Sequence, residues 1–152
     1  MSTSPELQLG RIRGCILGGA LGDAIGLFTE FLTPERCSEI YHIYPPAVLP
    51  LAPSPPPETH KIFQDRHRAQ FKCGGWTDDT DQSLLILLSF LRSFAISIPG
   101  TLDQRDFAVR LKNWTISGLR ALDHLPVDVG MTVAGAVRAA GYLDDPVGTA
   151  RR

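Results

Sequence analysis

Two adjacent carboxylates flanked by hydroxyl groups lie in the stretch Gly74-Gly75-Trp76-Thr77-Asp78-Asp79-Thr80-Asp81. Like charges about 4 Å apart repel by roughly 1 kcal/mol in water and by roughly 4 kcal/mol near a protein surface. A fold that places Asp78 beside Asp79 at the end of a buried element therefore needs a cation or a strong hydrogen-bond donor there. Hard oxygen ligands on a fixed turn suit Mg²⁺, which takes one or two carboxylates and keeps several waters.

A glycine-rich helix is predicted upstream of these residues. Ser4-Pro5 is a typical helix start, with a capping hydroxyl followed by proline at the first helical position. Glycines then recur on one stripe, and each costs roughly 1 kcal/mol in helix propensity, so close approach of a backbone or a ligand is expected to offset them. They are Gly14, Gly18, Gly22 and Gly26. A neighbouring face, with Asp23 and Glu30 at helical spacing, is either a site wall or a tight packing surface where Asp23 caps a neighbour.

Composition excludes several classes of protein and partner. The run from Gly14 to Phe28 is too short for a membrane span and carries Asp23, so a buried helix of a soluble protein with no membrane partner is predicted. The net charge of -1 gives no case for a nucleic-acid partner. Three cysteines without C-x-x-C spacing favour a reducing, cytoplasmic location over a disulfide framework or a zinc site.

Most of the twelve prolines lie between Pro45 and Pro57, which is too dense for a helix or a central strand. The region of about residues 43–71 is therefore predicted to be a loop insertion on the surface. Its basic part, His60 to Arg68, either attracts phosphates or is a solvated loop.

The remaining pattern predicts helices. One runs from Asp79 or Thr80 to Phe94, and its apolar residues from Leu84 to Leu91 are expected to need neighbours on all sides. Further helices are predicted from a Thr101–Gln104 capping box to Gly118, over 128–140, and from Asp145-Pro146 onward. The first of these three has Phe107, Leu111 and Trp114 as its buried stripe. Strong alternation typical of a strand is missing, so the fold class is all-α, with one domain over residues 1–152.

Two separated motifs together resemble the N-terminal half of the ADP-ribosylglycohydrolase family, the relatives of dinitrogenase reductase-activating glycohydrolase. The first is Arg13-Gly14-Cys15 followed by Gly19-Ala20-Leu21-Gly22-Asp23-Ala24-Ile25-Gly26 and Glu30. The second is Trp76-Thr77-Asp78-Asp79-Thr80. Their order, spacing and helical setting agree with the family.

The resemblance implies a bundle of helices around two Mg²⁺ ions that hydrolyses the bond between ribose C1″ of ADP-ribose and a protein side chain or a small acceptor. It implies metal ligation by Thr77, Asp78 and Asp79, and a catalytic or gating role for Glu30. It places Asp23 in the signature, with helix positioning as its first role and substrate binding as a second. It aligns Gly130, Met131 and Thr132 with a glycine-containing turn near the diphosphate. The implied partner is an ADP-ribosylated protein or a small molecule that contains ADP-ribose.

The chain also departs from the family pattern. Family members carry a second acidic motif, Asp-x-Asp-Thr, which completes the metal site in a chain about twice as long; Leu143-Asp144-Asp145-Pro146 does not match it. A truncated product or a degenerate paralogue is therefore expected. We expect the 152-residue chain alone to be an incompetent hydrolase, to be marginally folded, and to self-associate through exposed apolar surface.

Three other interpretations of the aspartates remain. Asp78-Asp79-Thr80-Asp81 also resembles the aspartate-rich Mg²⁺-diphosphate motif of all-helical prenyl synthases, although here the long apolar helix follows the aspartates. The chain could instead be a non-catalytic fragment that binds ADP-ribose or another chain. The aspartate pair could also be a purely structural helix cap.

Overall fold

The computed structural model describes residues 4–41, 62–72, 74–96 and 100–151. These residues form six α-helices and short 3₁₀ turns, and the described part of the chain contains an isolated β-bridge but no strand. The all-α prediction is confirmed. The chain divides into two compact units, one ending at Thr77 and the other beginning at Asp78. The single domain over 1–152 stays a prediction, and residues 43–61 of the predicted loop insertion lie outside the described residues.

The described residues of the first unit form two helices and a 3₁₀ turn. Helix α1 spans Pro5–Gly26, and the Ser4 hydroxyl accepts a hydrogen bond from the Leu7 N–H, as the sequence predicts. Helix α2 spans Pro34–Tyr41 and is capped by the Thr33 hydroxyl, which accepts from the Arg36 N–H at 3.2 Å. The 3₁₀ turn spans Arg68–Gln70, so the end of the predicted insertion is ordered structure that folds against the residues following α1.

The prediction that the run from Gly14 to Phe28 is buried is wrong for most of that run. Ala24 is the buried residue of α1, and Leu27 directly after it is also buried. A Cβ added at any of the α1 glycines would meet no atom within 4 Å in the described structure, so the expected close approach is not seen there. Among the described residues, no helix combines the length and the apolar character that crossing a membrane requires.

Four helices form the part of the second unit that the structure describes. Helix α3 spans Asp78–Ala95, α4 spans Gln104–Ser117, α5 spans Met131–Arg138 and α6 spans Pro146–Ala150. The cap of α4 is Asp103, whose carboxylate accepts from the N–H groups of residues 105 and 106, and so the predicted Thr101 capping box is wrong. The cap of α6 is Asp145, as predicted from Asp145-Pro146. The buried core of this unit consists of Leu85, Ala108, Leu111, Trp114, Leu119, Val137 and Tyr142.

Helix α3 packs through a polar stripe, which corrects the prediction that its apolar segment is covered on all sides. The buried positions recur every four residues, because a helix brings such positions to one face. Four of the five buried residues of α3 follow this spacing, namely Asp81, Leu85, Ser89 and Ser93, and the fifth is Thr80 beside Asp81. Ser89 donates to the Asp103 carbonyl and Ser93 accepts from the Asp103 N–H, each at 3.2 Å, so the serines hold the start of α4. The larger side chains Ile86, Leu88, Phe90, Leu91 and Phe94 are exposed.

A tight turn follows α4. Gly118 ends the helix with φ of 64°, and Leu119 pairs with His124 through reciprocal backbone hydrogen bonds of 2.8 and 3.2 Å. A Cβ on Gly118 would lie 2.0 Å from the His124 carbonyl oxygen, so only glycine fits at this position. The turn brings the His124 side chain to the start of α3, where it contacts Asp81.

Candidate functional site

Asp23, near the end of α1, holds the threonine that precedes the aspartate pair. The Thr77 N–H donates to Asp23 Oδ2 at 3.1 Å, and the Thr77 hydroxyl donates to Asp23 Oδ1 at 2.7 Å. Thr77 is buried, so these contacts fix its rotamer. A hydroxyl that donates its hydrogen binds other groups through its oxygen lone pairs, which is how threonine binds a metal. The contact agrees with the predicted positioning role of Asp23; its substrate-binding role stays a prediction.

Asp78 and Asp79 occupy the first turn of α3, where the helix dipole favours negative charge. Asp78 is half-buried, whereas Asp79 is exposed. The Gly130 N–H donates to the Asp78 carboxylate, and Gln82 Nε2 donates to Asp78 Oδ2 at 2.6 Å. The aspartate pair is therefore anchored at Asp78, while Asp79 faces solvent.

Burial raises the pKa of the Asp78 carboxyl to about 6. The negative charges of Asp79 and Asp128 contribute to this rise, and the hydrogen bond from the Gly130 N–H opposes it. A carboxylate that is partly desolvated beside two like charges is an electrostatically unfavourable group. A bound cation would relieve this repulsion, and the oxygen ligands present are those that Mg²⁺ prefers.

Asp128 is an acidic residue of this site that the sequence reasoning missed. Its backbone has φ of 57°, in the left-handed region that aspartate tolerates better than most residues. The sequence held one signal for it: Asp128 precedes Gly130 by two positions, in the stretch aligned with the diphosphate turn. A phosphate group beside Asp78 and Asp128 would need a cation between them, since all three are negative.

The predicted diphosphate turn lies at the start of α5. Gly130 is the residue before the helix, and its N–H binds Asp78. Met131 is 93% exposed and Thr132 is exposed too. The structure thus brings Gly130 to the aspartate pair, and leaves substrate contacts of Met131 and Thr132 as predictions.

Glu30 lies in the turn after α1, and its carboxylate is bonded to a residue of the predicted loop insertion. Glu30 Oε2 lies 2.9 Å from His67 Nε2, and the Arg68 guanidinium donates to the Glu30 carbonyl oxygen. Arg68 is only 1% exposed, so the interpretation of this basic stretch as a solvated loop is wrong at Arg68. The predicted proximity of Glu30 to the aspartate pair stays a prediction.

Asp81 belongs to the core rather than to the candidate site. It is 1% exposed, and its Oδ2 accepts from Trp114 Nε1 at 2.7 Å and lies 3.1 Å from His124 Nδ1. These two contacts satisfy the carboxylate inside the protein. The resemblance to a prenyl synthase motif is thereby weakened, because Asp81 is engaged within the core and the diphosphate motif loses one of its aspartates.

The comparison with protein families decides the classification. The model of the ADP-ribosylglycohydrolase family matches residues 4–150. The chain belongs to the ADP-ribosylglycohydrolase family. The family resemblance inferred from the two motifs is confirmed.

Relatives of this family member agree with that classification. An uncharacterized protein of Archaeoglobus fulgidus is 30% identical over 151 residues, which cover 93% of this chain and 40% of the relative. The ADP-ribosyl-[dinitrogen reductase] glycohydrolase of Rhodospirillum rubrum is 29% identical, with 97% of this chain and 40% of the relative covered. The ADP-ribosylarginine hydrolase Tri1 of Pseudomonas putida is 26% identical, with 95% and 31% covered. The chain therefore spans well under half the length of these relatives, and no solved structure matches it.

Proposed function

We propose that this chain forms part of a Mg²⁺-dependent hydrolase that removes ADP-ribose from a modified protein side chain or a small acceptor. The observation that supports this most directly is the aspartate pair at the start of α3, where Asp78 is desolvated beside two like charges. Family membership supplies the reaction class, since the family and two of the relatives are named for hydrolysis of ADP-ribosyl bonds.

Thr77, Asp78 and Asp79 would hold the metal in this proposal. The fit rests on their oxygen donors and on the raised pKa of Asp78, which indicates repulsion that a cation would remove. The Asp23 contact to the Thr77 hydroxyl resembles the supporting hydrogen bonds that orient metal ligands in other proteins. When bound, Mg²⁺ would orient the ribose hydroxyls and the attacking water and stabilise developing charge.

Two further residues, Glu30 and Gly130, would act on the substrate directly. Departure of the acceptor side chain from C1″ gives the ribose oxocarbenium character, and the carboxylates provide the negative potential that favours it. Glu30 is proposed as the catalytic carboxylate that accepts a proton from the attacking water or binds the ribose. Gly130, whose N–H binds Asp78, lies at the start of α5 and would present its backbone to the diphosphate.

Arginine is the first acceptor to test. One relative is named as an ADP-ribosylarginine hydrolase, and serine and small acceptors serve as comparisons. The cytoplasmic location and the self-association of the chain through apolar surface remain proposals as well. The exposed side chains Leu91 and Phe94 on α3 support the second of these.

A second candidate function is binding of ADP-ribose without hydrolysis. The hydrogen bond from Gly130 to Asp78 would support this function equally, because it places the proposed diphosphate turn beside the proposed metal ligands whether or not hydrolysis follows. In that case the chain would bind ADP-ribose in the presence of Mg²⁺ and release none from a substrate.

The test measures ADP-ribose release from an ADP-ribosylarginine peptide by two proteins. One is the chain alone, and the other is the chain joined to the part of the R. rubrum relative that its match does not cover. Turnover by a cooperatively folded joined protein, lost in its Asp78→Asn variant, supports the hydrolase. ADP-ribose binding without turnover in both proteins favours the binding fragment. If neither protein binds ADP-ribose or releases it from the peptide, both candidate functions are refuted.

A further inference from the structure

The segment from Asp65 to Phe71 is hydrogen-bonded to Glu30 at two separate atoms. Its imidazole, from His67, lies 2.9 Å from the carboxylate oxygen Oε2. Its guanidinium, from Arg68, donates to the backbone carbonyl oxygen of the same glutamate. A contact to the main chain fixes where Glu30 lies, and a contact to the side chain fixes which way its carboxylate points.

The burial and pairing of Arg68 indicate that its contact with Glu30 is part of the folded structure rather than a chance surface contact. Asp65 accepts from the Arg68 N–H at 2.7 Å and from the Arg68 guanidinium, so the buried charge is paired within its own turn. The Arg68 Nε is buried, and it has no hydrogen-bond partner in the described part of the chain. Burying such a group is unfavourable. The contacts of the Arg68 guanidinium with Asp65 and with the Glu30 carbonyl oxygen offset this cost.

The His67 ring is held on two sides by aromatic neighbours. The Phe31 ring lies edge-on at 5.0 Å between centroids, with planes at 70°, and the Phe71 ring lies at 5.3 Å and 68°. Phe31, directly after Glu30, has φ of 56°, a strained conformation for a bulky residue. Such conformations cluster at functional sites and persist when surrounding contacts hold them. Here the contacts to Glu30 hold the preceding residue, and the ring contact to His67 holds Phe31 itself.

We propose that His67 is a positioning residue for Glu30. Its Nε2–H donates to Oε2 and fixes the carboxylate, so that the other oxygen, Oε1, is the one available to the substrate or the attacking water. The role rests on the proposed function, in which Glu30 is the catalytic carboxylate. It gives a purpose to a segment that lies 37 residues away from Glu30 in sequence.

The first test reads the hydrogen bond directly, by ¹H–¹⁵N correlation spectra of the histidine side chains in the 152-residue chain. We expect His67 to carry its proton on Nε2 at neutral pH, and we expect Glu30→Ala to shift its ring-nitrogen signals. The control is Gln64→Ala, because Gln64 is exposed and its amide donates to the carbonyl of residue 62. An unprotonated Nε2 in the wild type, or signals that Glu30→Ala leaves unchanged, would overturn the proposal.

The second test measures ADP-ribose release in whichever protein turns over in the test of the proposed function. His67→Phe keeps a ring but removes the donor, and misplacement of a catalytic group can lower kcat by about 10–100-fold. We expect that loss with KM changed by less than about threefold, recovery of most of kcat in His67→Gln, and no change in Gln64→Ala. A wild-type kcat in His67→Phe contradicts the proposal. If no protein turns over, the proposed function fails, and the spectra alone still decide whether His67 holds Glu30.

Discussion

Replacing Asp78 by asparagine should stabilise the fold at pH 7. Burial and the charges of Asp79 and Asp128 raise the pKa of this carboxyl from 3.8 to about 6, so at pH 7 the folded chain holds an ionised group that its surroundings disfavour. Asparagine has nearly the same shape and keeps an oxygen to accept from the Gly130 N–H. The substitution therefore removes the repulsion while leaving the main anchor of the side chain in place.

The magnitude follows from the size of the pKa rise. A rise of about two units corresponds to about 3 kcal/mol, at roughly 1.4 kcal/mol per unit. Asp78 is only half-buried, so solvent screening reduces the expected gain to about 1–2 kcal/mol. Between about pH 4 and pH 6 the folded state binds more protons than the unfolded state, and the contribution of Asp78 to stability is lost as the pH rises through this window.

The assay is urea unfolding of the wild type and of Asp78→Asn at pH 4 and pH 7, followed by circular dichroism. The difference in unfolding free energy between the two proteins should be larger at pH 7 by the stated amount. Asp144→Asn is the matched control, since Asp144 is exposed and lies in the turn before α6. Added Mg²⁺ at pH 7 should stabilise the wild type and not Asp78→Asn, because a ligand stabilises the state to which it binds.

Two results would refute this reasoning. If Asp78→Asn is less stable than the wild type at pH 7, then the hydrogen bonds of the carboxylate outweigh its repulsion and desolvation. If the two proteins lose stability in parallel between pH 4 and pH 7, then the Asp78 carboxyl does not titrate in this window. Either result would also remove the electrostatic argument for a cation at the aspartate pair.

Three further predictions follow from the second unit. Gly118→Ala should destabilise the chain by about 3 kcal/mol or more, because the new Cβ would lie 2.0 Å from a backbone oxygen. Gly135→Ala, in open space on α5, should instead stabilise the chain by about 0.5–1 kcal/mol. Urea unfolding of both variants checks this prediction. Trp114→Phe should cost about 1–3 kcal/mol, because buried Asp81 loses a donor, and an unfolding free energy within 0.5 kcal/mol of the wild type would contradict it. Since Phe94 is 64% exposed, Phe94→Lys should change the free energy of unfolding by less than about 0.5 kcal/mol. The same variant should self-associate less in analytical ultracentrifugation. Unchanged association would exclude this face of α3 as the surface through which the chain self-associates.

The helices were predictable wherever local signals mark their ends. Ser4-Pro5 and Asp145-Pro146 combine a capping side chain with a proline in the first turn, and both begin helices in the structure. These signals act within one turn of the chain, so they do not depend on the rest of the fold. The aspartate pair was singled out from its residue types and spacing, whereas Gly130 came from the family resemblance, and the structure adds that Gly130 is hydrogen-bonded to Asp78.

The packing faces were not predictable from hydrophobicity alone. The segment from Leu84 to Leu91 was expected to be covered on all sides, but α3 buries the stripe that contains Ser89 and leaves Leu91 exposed. Ser89 and Ser93 are buried because they bind the backbone at the start of α4, which is a tertiary contact that a hydropathy pattern does not record. Likewise, the pairing of Glu30 with the segment at residue 67 joins positions 37 residues apart in sequence, and no local pattern records such a contact.

Two aspartates within one turn of α3 differ in what surrounds them. Asp81 is almost fully buried, yet the Trp114 indole and the His124 ring bind it, so its environment is suited to a carboxylate. Asp78 is less buried, but its neighbours include two further carboxylates, and its pKa rises to about 6. Burial alone therefore does not separate a structural aspartate from a functional one, because the charge of the neighbouring groups decides. The surroundings of Asp78 disfavour its charge, so they do not contribute to folding stability at pH 7. They are the surroundings expected of a carboxylate whose partner is a cation.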